Sequence, residues 1–110
     1  RQAVDNLDEI LNVEGVDIVF IGPYDLSQSL GIPGEITHPR VLDQMREIVS
    51  RAAEKGAIVG TFTDSIDMMK LWVDSGVRYL SYSVDVGIFK DACSGIQAQF
   101  DALRTEKQNK

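Results

Sequence analysis

"VFIGPYDLSQSLGIPG", residues Val19 to Gly34, changes character in its middle. Val19, Phe20 and Ile21 are β-branched or aromatic and suit a pleated strand. Gly22-Pro23 then punctuates the chain. A carboxylate, Asp25, follows, and a polar stretch broken by Gly31 and Gly34 comes after it. An acid therefore stands where a strand stops.

The flanking sequence says what kind of strand this is. Upstream, Ala3, Val4, Leu7, Ile10 and Leu11 recur at helical spacing, which predicts an amphipathic helix ending near Asn12. Gly15 breaks it, and Val16 to Ile21 is a nearly all-apolar run of the kind found in parallel strands covered on both faces. Downstream, Thr37-His38-Pro39 reads as a helix entry, with Pro39 at the first helical position, where its missing N–H costs nothing. Val41, Leu42, Met45, Ile48, Val49, Ala52 and Ala53 then draw a long stripe, and Gly56 after Lys55 ends it.

The same rhythm repeats to the end. Ala57 to Phe62 is a second strand, Thr63 or Asp64 caps the next helix, and Ile66, Met69, Trp72 and Val73 form its stripe before Gly76. Val77 to Ser83 is a third strand. A last helix carries Ile88 or Phe89, Ala92, Ile96, Phe100 and Leu103, and residues 105–110 read as a disordered tail. Three strands alternating with four helices predict an α/β fold with a parallel sheet. Three strands cannot close a barrel, and an eight-stranded βα barrel takes about 250 residues. The sheet is expected to be completed by further sequence or by another chain.

Composition removes several classes of function. The 110 residues carry a formal net charge of −6, with acids and bases interspersed, so neither nucleic acid nor an anionic membrane is an expected partner. No apolar run is long enough for a membrane span. The single cysteine, Cys93, precludes an internal disulfide, fits a reducing cytoplasmic setting, and is expected as a small buried filler on a helix. There is no Walker signature, no GxGxxG after a strand, and no Cys/His cluster. Ser27 and Ser29 lack a nucleophile elbow, and His38 reads as a surface residue.

In parallel βα proteins, ligands bind at the carboxyl ends of strands. Those ends read Gly22-Pro23-Tyr24-Asp25, Thr61-Phe62-Thr63-Asp64 and Ser81-Tyr82-Ser83-Val84-Asp85. Helix capping explains an acid at each, and it is the preferred reading for Asp64 and Asp85. Asp25 differs, because a rigid turn precedes it and only a short, weakly periodic segment follows. Gly22 permits close approach and Pro23 holds its own φ at about −65°. The N–H groups of Tyr24 and Asp25 then form a small anion nest, beside a carboxylate that is a hard oxygen ligand for a divalent cation. A 2-oxo acid, with its carboxylate and carbonyl oxygen, suits such a pair.

The stretch "GVDIVFIGPYDLSQSLGIPG" (Gly15 to Gly34) resembles the metal-dependent aldolases of the HpcH/HpaI family, relatives of the 2-keto-3-deoxy-sugar-acid aldolases and the citrate lyase β subunit. That family shows a hydrophobic strand running into GPxDLSxSLG. "AVDNLDEILNVEGVD" looks like its preceding helix, and "AIVGTFTDSIDMMKLWVDSGVRYLSYSVDVGIFKDAC" like its last βα units. The resemblance implies the C-terminal portion of a (β/α)8 barrel that binds Mg²⁺, Mn²⁺ or Co²⁺ and chelates pyruvate on the metal. It makes Asp25 a metal ligand, and Tyr24 and Asp25 the donors to the pyruvate carboxylate, with Gly22 and Pro23 setting the loop. An aldehyde is the second substrate, and hexamers built from dimers are the implied assembly.

The departures from the family pattern shape the expectation further. Its glutamate ligand, its carbonyl-polarising arginine and its histidine–aspartate pair would all fall ahead of Arg1, so no catalytic residue is expected within these residues. Tyr24 replaces a residue that is often small, so its ring would trim the aldehyde pocket, whereas Ser27 gives only structural support. Tyr82 stands within the stretch where the family often reads VGSD, putting the lining there in doubt. The chain reads as a piece of a longer one, inactive alone as a class II aldolase. The competing expectations are a CoA-thioester lyase of the citrate lyase β kind and a non-catalytic half-barrel that assembles with a partner chain.

Overall fold

A computed structural model describes residues 2–108, with side chains described to residue 105. Its elements follow the alternation expected. Helices α1 (Gln2–Asp5) and α2 (Leu7–Leu11) lead to strand β1 (Ile18–Ile21), and α3 (Pro23–Ser29) and α4 (Pro39–Glu54) lead to β2 (Ile58–Thr63). Helix α5 (Ile66–Asp74), β3 (Tyr79–Tyr82) and α6 (Asp85–Gln108) complete the described chain. The four expected helices thus resolve into six helical segments. One division is slight: Asn6 interrupts the first helix, yet its N–H still donates to the Gln2 carbonyl at 3.0 Å and its carbonyl accepts from Ile10 at 3.1 Å. The remaining segment is an addition and not a division, because Pro23–Ser29, in the connection between β1 and α4, forms a helix of its own.

The helix-to-strand transitions are made by left-handed glycine. Gly56, at φ 76°, follows α4 and lets Ala57 turn back so that its N–H reaches the Ala52 carbonyl at 3.0 Å. His38, half-buried at the surface, caps the start of the same helix, its Nδ1 accepting from the Arg40 N–H at 3.1 Å. The next cap is different from the one expected. Ser65, rather than Thr63 or Asp64, accepts from the Met68 N–H at 3.2 Å, while Thr63 turns its hydroxyl to the Ser65 carbonyl at 3.0 Å.

The three strands are parallel in the order β1-β2-β3, so the outer edges of β1 and β3 are unpaired among the described residues. Val19 pairs with Val59, Ile21 with Thr61, and Thr61 in turn with Leu80. One face of the sheet packs on the helices. Val59, Thr61 and Thr63 are buried there, with Val41, Met45, Ile48 and Ala52 of α4 and the fully buried Trp72 of α5. Ile66 and Val73 of the expected α5 stripe stay exposed. Arg51 ties α4 to the first helices, its Nε donating to Asp8 at 3.2 Å and its Nη1 to the Val4 carbonyl at 3.2 Å. Its hydrogen bond to Asp8 is the main cause that raises its pKa.

Among the described residues the opposite face is bare, where the sequence led to an expectation of strands covered on both sides. Ile18, Phe20 and Tyr79 are exposed on it, and the Phe20 and Tyr79 rings meet edge-on at 6.2 Å across Gly60. Helix α6 is bare as well. Every side chain from Ile88 to Thr105 is exposed, including Cys93, which is therefore not the buried filler expected. The molecule extends over 67 × 29 × 22 Å. Of the expected tail, the backbone to Gln108 continues α6, and residues 109 and 110 lie outside the described residues. No described helix is long and apolar enough to cross a membrane.

Candidate functional site

The four residues singled out by sequence stand in succession at the carboxyl end of β1. Gly22 is the N-cap of α3, with φ −80° and ψ 113°, and Pro23 is the first helical residue. Tyr24 and Asp25 follow within the first turn. By position, the N–H groups of such residues have no acceptor inside their own helix. The first turn closes when the Leu26 N–H donates to the Gly22 carbonyl at 2.9 Å. The short, weakly periodic segment after Asp25 continues as a short helix anchored by buried Leu26 and Ser27. Asp25 sits where a negative charge also favours the helix dipole.

The Asp25 carboxylate reaches back over Gly22. A Cβ at residue 22 would run into Oδ2 and would lie 3.2 Å from Cγ, so the missing side chain is what makes room for the acid. Tyr24 and Asp25 are both exposed. Among the described residues no Lys or Arg forms an ion pair with Asp25. A cavity of about 340 Å³ opens beside the unpaired edge of β1, mostly apolar, with Ala3, Leu7, Phe20 and Leu26 in its wall and Gly22 and Asp25 at its polar part.

Two buried hydroxyls fasten this turn. Ser27 donates to the Tyr24 carbonyl at 2.7 Å and accepts from the Gly34 N–H at 3.0 Å, binding α3 to the glycine-bearing loop that follows. This is the structural support expected of it. Thr61, fully buried on β2, donates to the Ile21 carbonyl at 2.7 Å, one residue ahead of Gly22. Sequence reading passed over Thr61. The signal was present in "GTFT", where hydroxyl residues at every second position mark one face of a strand.

The other strand ends do not join in. Asp64 is exposed, and Asp85 spends a carboxylate oxygen on the Val86 N–H at 2.7 Å in the first turn of α6. No group of three His, Cys, Asp or Glu side chains among the described residues is placed to hold a metal ion. After β3, Ser83 takes φ 51° and donates its N–H to the Thr63 carbonyl at 2.7 Å. Tyr82 pairs with Thr63 on the helix-facing row, so it is Ser81, paired with Phe62, that faces the bare side.

Asp25 meets the chemistry of a hard divalent cation, as an exposed oxygen donor with no cationic side chain bound to it among the described residues. Such a cation takes about six oxygen ligands, and among the described residues Asp25 offers one carboxylate toward that number.

Known proteins share both the sequence and this architecture. The model of the HpcH/HpaI aldolase/citrate lyase family matches residues 1–92. The 2-keto-3-deoxy-L-rhamnonate aldolase of Escherichia coli strain K12 is 39% identical over 100 residues, covering 91% of this chain and 38% of the relative. A family protein from Burkholderia cenocepacia superposes with a TM-score of 0.81 at 31% identity, over 89% of this chain and 38% of that one. The HpcH/HpaI aldolase of Desulfitobacterium hafniense gives 0.75 at 35% identity, over 88% and 38%. The citrate synthase SbnG, at 24% identity and a TM-score of 0.72 over 92% and 42%, shares the fold. The chain thus spans about 38% of the length of the curated relatives it matches. With three parallel strands forming an open segment of a βα barrel and the family pattern running through residues 1–92, the chain belongs to the HpcH/HpaI aldolase/citrate lyase family.

Proposed function

We propose that this chain supplies part of the active site of a divalent-metal-dependent pyruvate aldolase. The reaction cleaves the C3–C4 bond of a 4-hydroxy-2-oxo acid, or a 2-keto-3-deoxy sugar acid, to pyruvate and an aldehyde. The observation that carries this reading is the Asp25 carboxylate, exposed at the end of β1 and accommodated by the bare Cα of Gly22.

When bound, a divalent cation such as Mg²⁺, Mn²⁺ or Co²⁺ polarises the 2-oxo group as a Lewis acid. Asp25 would be one of its ligands, contributing negative charge and moving no proton. The first-turn N–H groups of Tyr24 and Asp25 receive the substrate carboxylate, which also lies favourably at the positive end of α3. Gly22 leaves space for the Asp25 carboxylate, and Pro23 fixes the turn. The half-exposed Tyr24 ring borders the site and limits the size of the aldehyde. The unpaired edge of β1, with its cavity, is where a further strand carrying a second carboxylate ligand would add.

The experiment is an assay of the full-length protein with pyruvate and a panel of aldehydes, before and after chelator treatment. Metal-dependent carbon–carbon bond formation is the expected result, and residues 1–110 alone should give none. Turnover that survives complete metal removal would contradict the reading. So would a full-length protein inert towards every 2-oxo acid tried, which would favour a non-catalytic half-barrel.

A further inference from the structure

A carboxylate at a strand end serves a metal only if the backbone carrying it is held in one orientation. A peptide unit is planar, so fixing its carbonyl also fixes the N–H of the next residue and the path of the chain beyond. Two such units flank Gly22–Asp25. The Ile21 carbonyl belongs to the peptide that delivers Gly22, and the Tyr24 carbonyl belongs to the peptide that delivers Asp25. Each accepts a hydrogen bond of 2.7 Å from a fully buried hydroxyl, Thr61 Oγ1 for the first and Ser27 Oγ for the second.

Neither hydroxyl is required by packing alone. Thr61 lies on the helix-facing row of β2 with Val59, in surroundings where valine has almost the same shape and no polar atom to satisfy. Ser27 has its second partner, the Gly34 N–H at 3.0 Å, on the loop beyond α3, so it ties the helix to that loop. The N-cap between the two clamps, Gly22, makes no side-chain hydrogen bond, and these hydroxyls supply side-chain restraint that the cap itself lacks.

We infer that Thr61 and Ser27 are positioning residues of the Asp25 site, acting through the Ile21–Gly22 and Tyr24–Asp25 peptides rather than by touching metal or substrate. The inference rests on the assignment of Asp25 as a metal ligand. Its test is Mn²⁺ titration of the full-length chain, followed by the electron paramagnetic resonance signal of free and bound Mn²⁺, beside thermal melting. Thr61→Val is expected to weaken Mn²⁺ binding by about five- to tenfold, the worth of one buried hydrogen bond. Thr61→Ser, which keeps the hydroxyl, should bind within about twofold of wild type. Ser27→Ala should weaken Mn²⁺ binding and broaden the bound signal. Wild-type affinity in both Thr61→Val and Ser27→Ala would overturn the inference. Equal weakening by Thr61→Val and Thr61→Ser would do the same, because the retained hydroxyl of serine would then not rescue binding, and disturbed packing around residue 61 would account for both. Asp25→Asn in the same titration separates the two levels of argument: if it binds Mn²⁺ like wild type, the ligand assignment itself falls.

Discussion

The Asp25 carboxylate occupies the space above the Gly22 Cα that a side chain at residue 22 would need. The backbone of Gly22, at φ −80° and ψ 113°, is one that any residue adopts. Glycine is therefore required by the neighbour and not by the dihedrals. Gly22→Ala should leave the fold intact, with a melting change under about 1 kcal/mol, since alanine also reduces the freedom of the unfolded chain. It should nevertheless push Asp25 off its rotamer at a cost of about 0.5–1.5 kcal/mol, weakening Mn²⁺ binding in the full-length chain by roughly three- to tenfold. Calorimetric Mn²⁺ titration checks this, and unchanged affinity would show that the close approach has no bearing on the metal.

Ser83 tests the other edge of the sheet. It is the non-glycine residue at positive φ among the described residues, and its N–H is committed to the Thr63 carbonyl. Ser83→Gly should be tolerated, because relief of the left-handed conformation offsets the added freedom of the unfolded chain. Ser83→Val should lose roughly 1–2 kcal/mol, since a β-branched residue fits this region poorly. Urea unfolding of the pair decides it; a valine variant as stable as the glycine one would mean that the turn relaxes freely.

Gly60 is needed for a different reason. A Cβ there would lie 2.8 Å from Tyr79 Cδ1 and 3.0 Å from Phe20 Cδ2, between the two rings that meet across it. Gly60→Ala is expected to cost about 1–3 kcal/mol by overpacking. The loss should shrink in a Gly60→Ala/Tyr79→Ala double variant, and a full-sized loss in both backgrounds would assign the cost to backbone instead.

Much of this was legible in the residues, and the misses have identifiable causes. Short apolar runs bounded by glycine located all three strands, and a stripe sustained at 3.6-residue spacing over several turns located α4. The helix cap at Ser65 was misplaced because Thr63, Asp64 and Ser65 are three adjacent residues of capping type, and only geometry selects among them. The apolar run of β1 gave no hint that Ile18 and Phe20 would stand exposed, since a strand is read the same way whether or not its second face finds a cover. The stripe on α6 has the same ambiguity. At the candidate site, the motif named Gly22 to Asp25 in order, but the clamp from Thr61 is a contact across 40 residues. No local pattern announces such a contact; its trace is a hydroxyl where valine would serve.

Asp25 as a metal ligand is the central claim. The most direct measurement is Mn²⁺ binding to the full-length protein and its Asp25→Asn variant, which keeps the size of the side chain and removes its charge. The variant is expected to melt within about 1 kcal/mol of wild type, as an exposed position allows. Its Mn²⁺ affinity should fall by about a hundredfold or more, equivalent to about 2.7 kcal/mol, with metal-dependent turnover lost. An Asp25→Asn protein that binds Mn²⁺ as tightly as wild type would contradict the central claim.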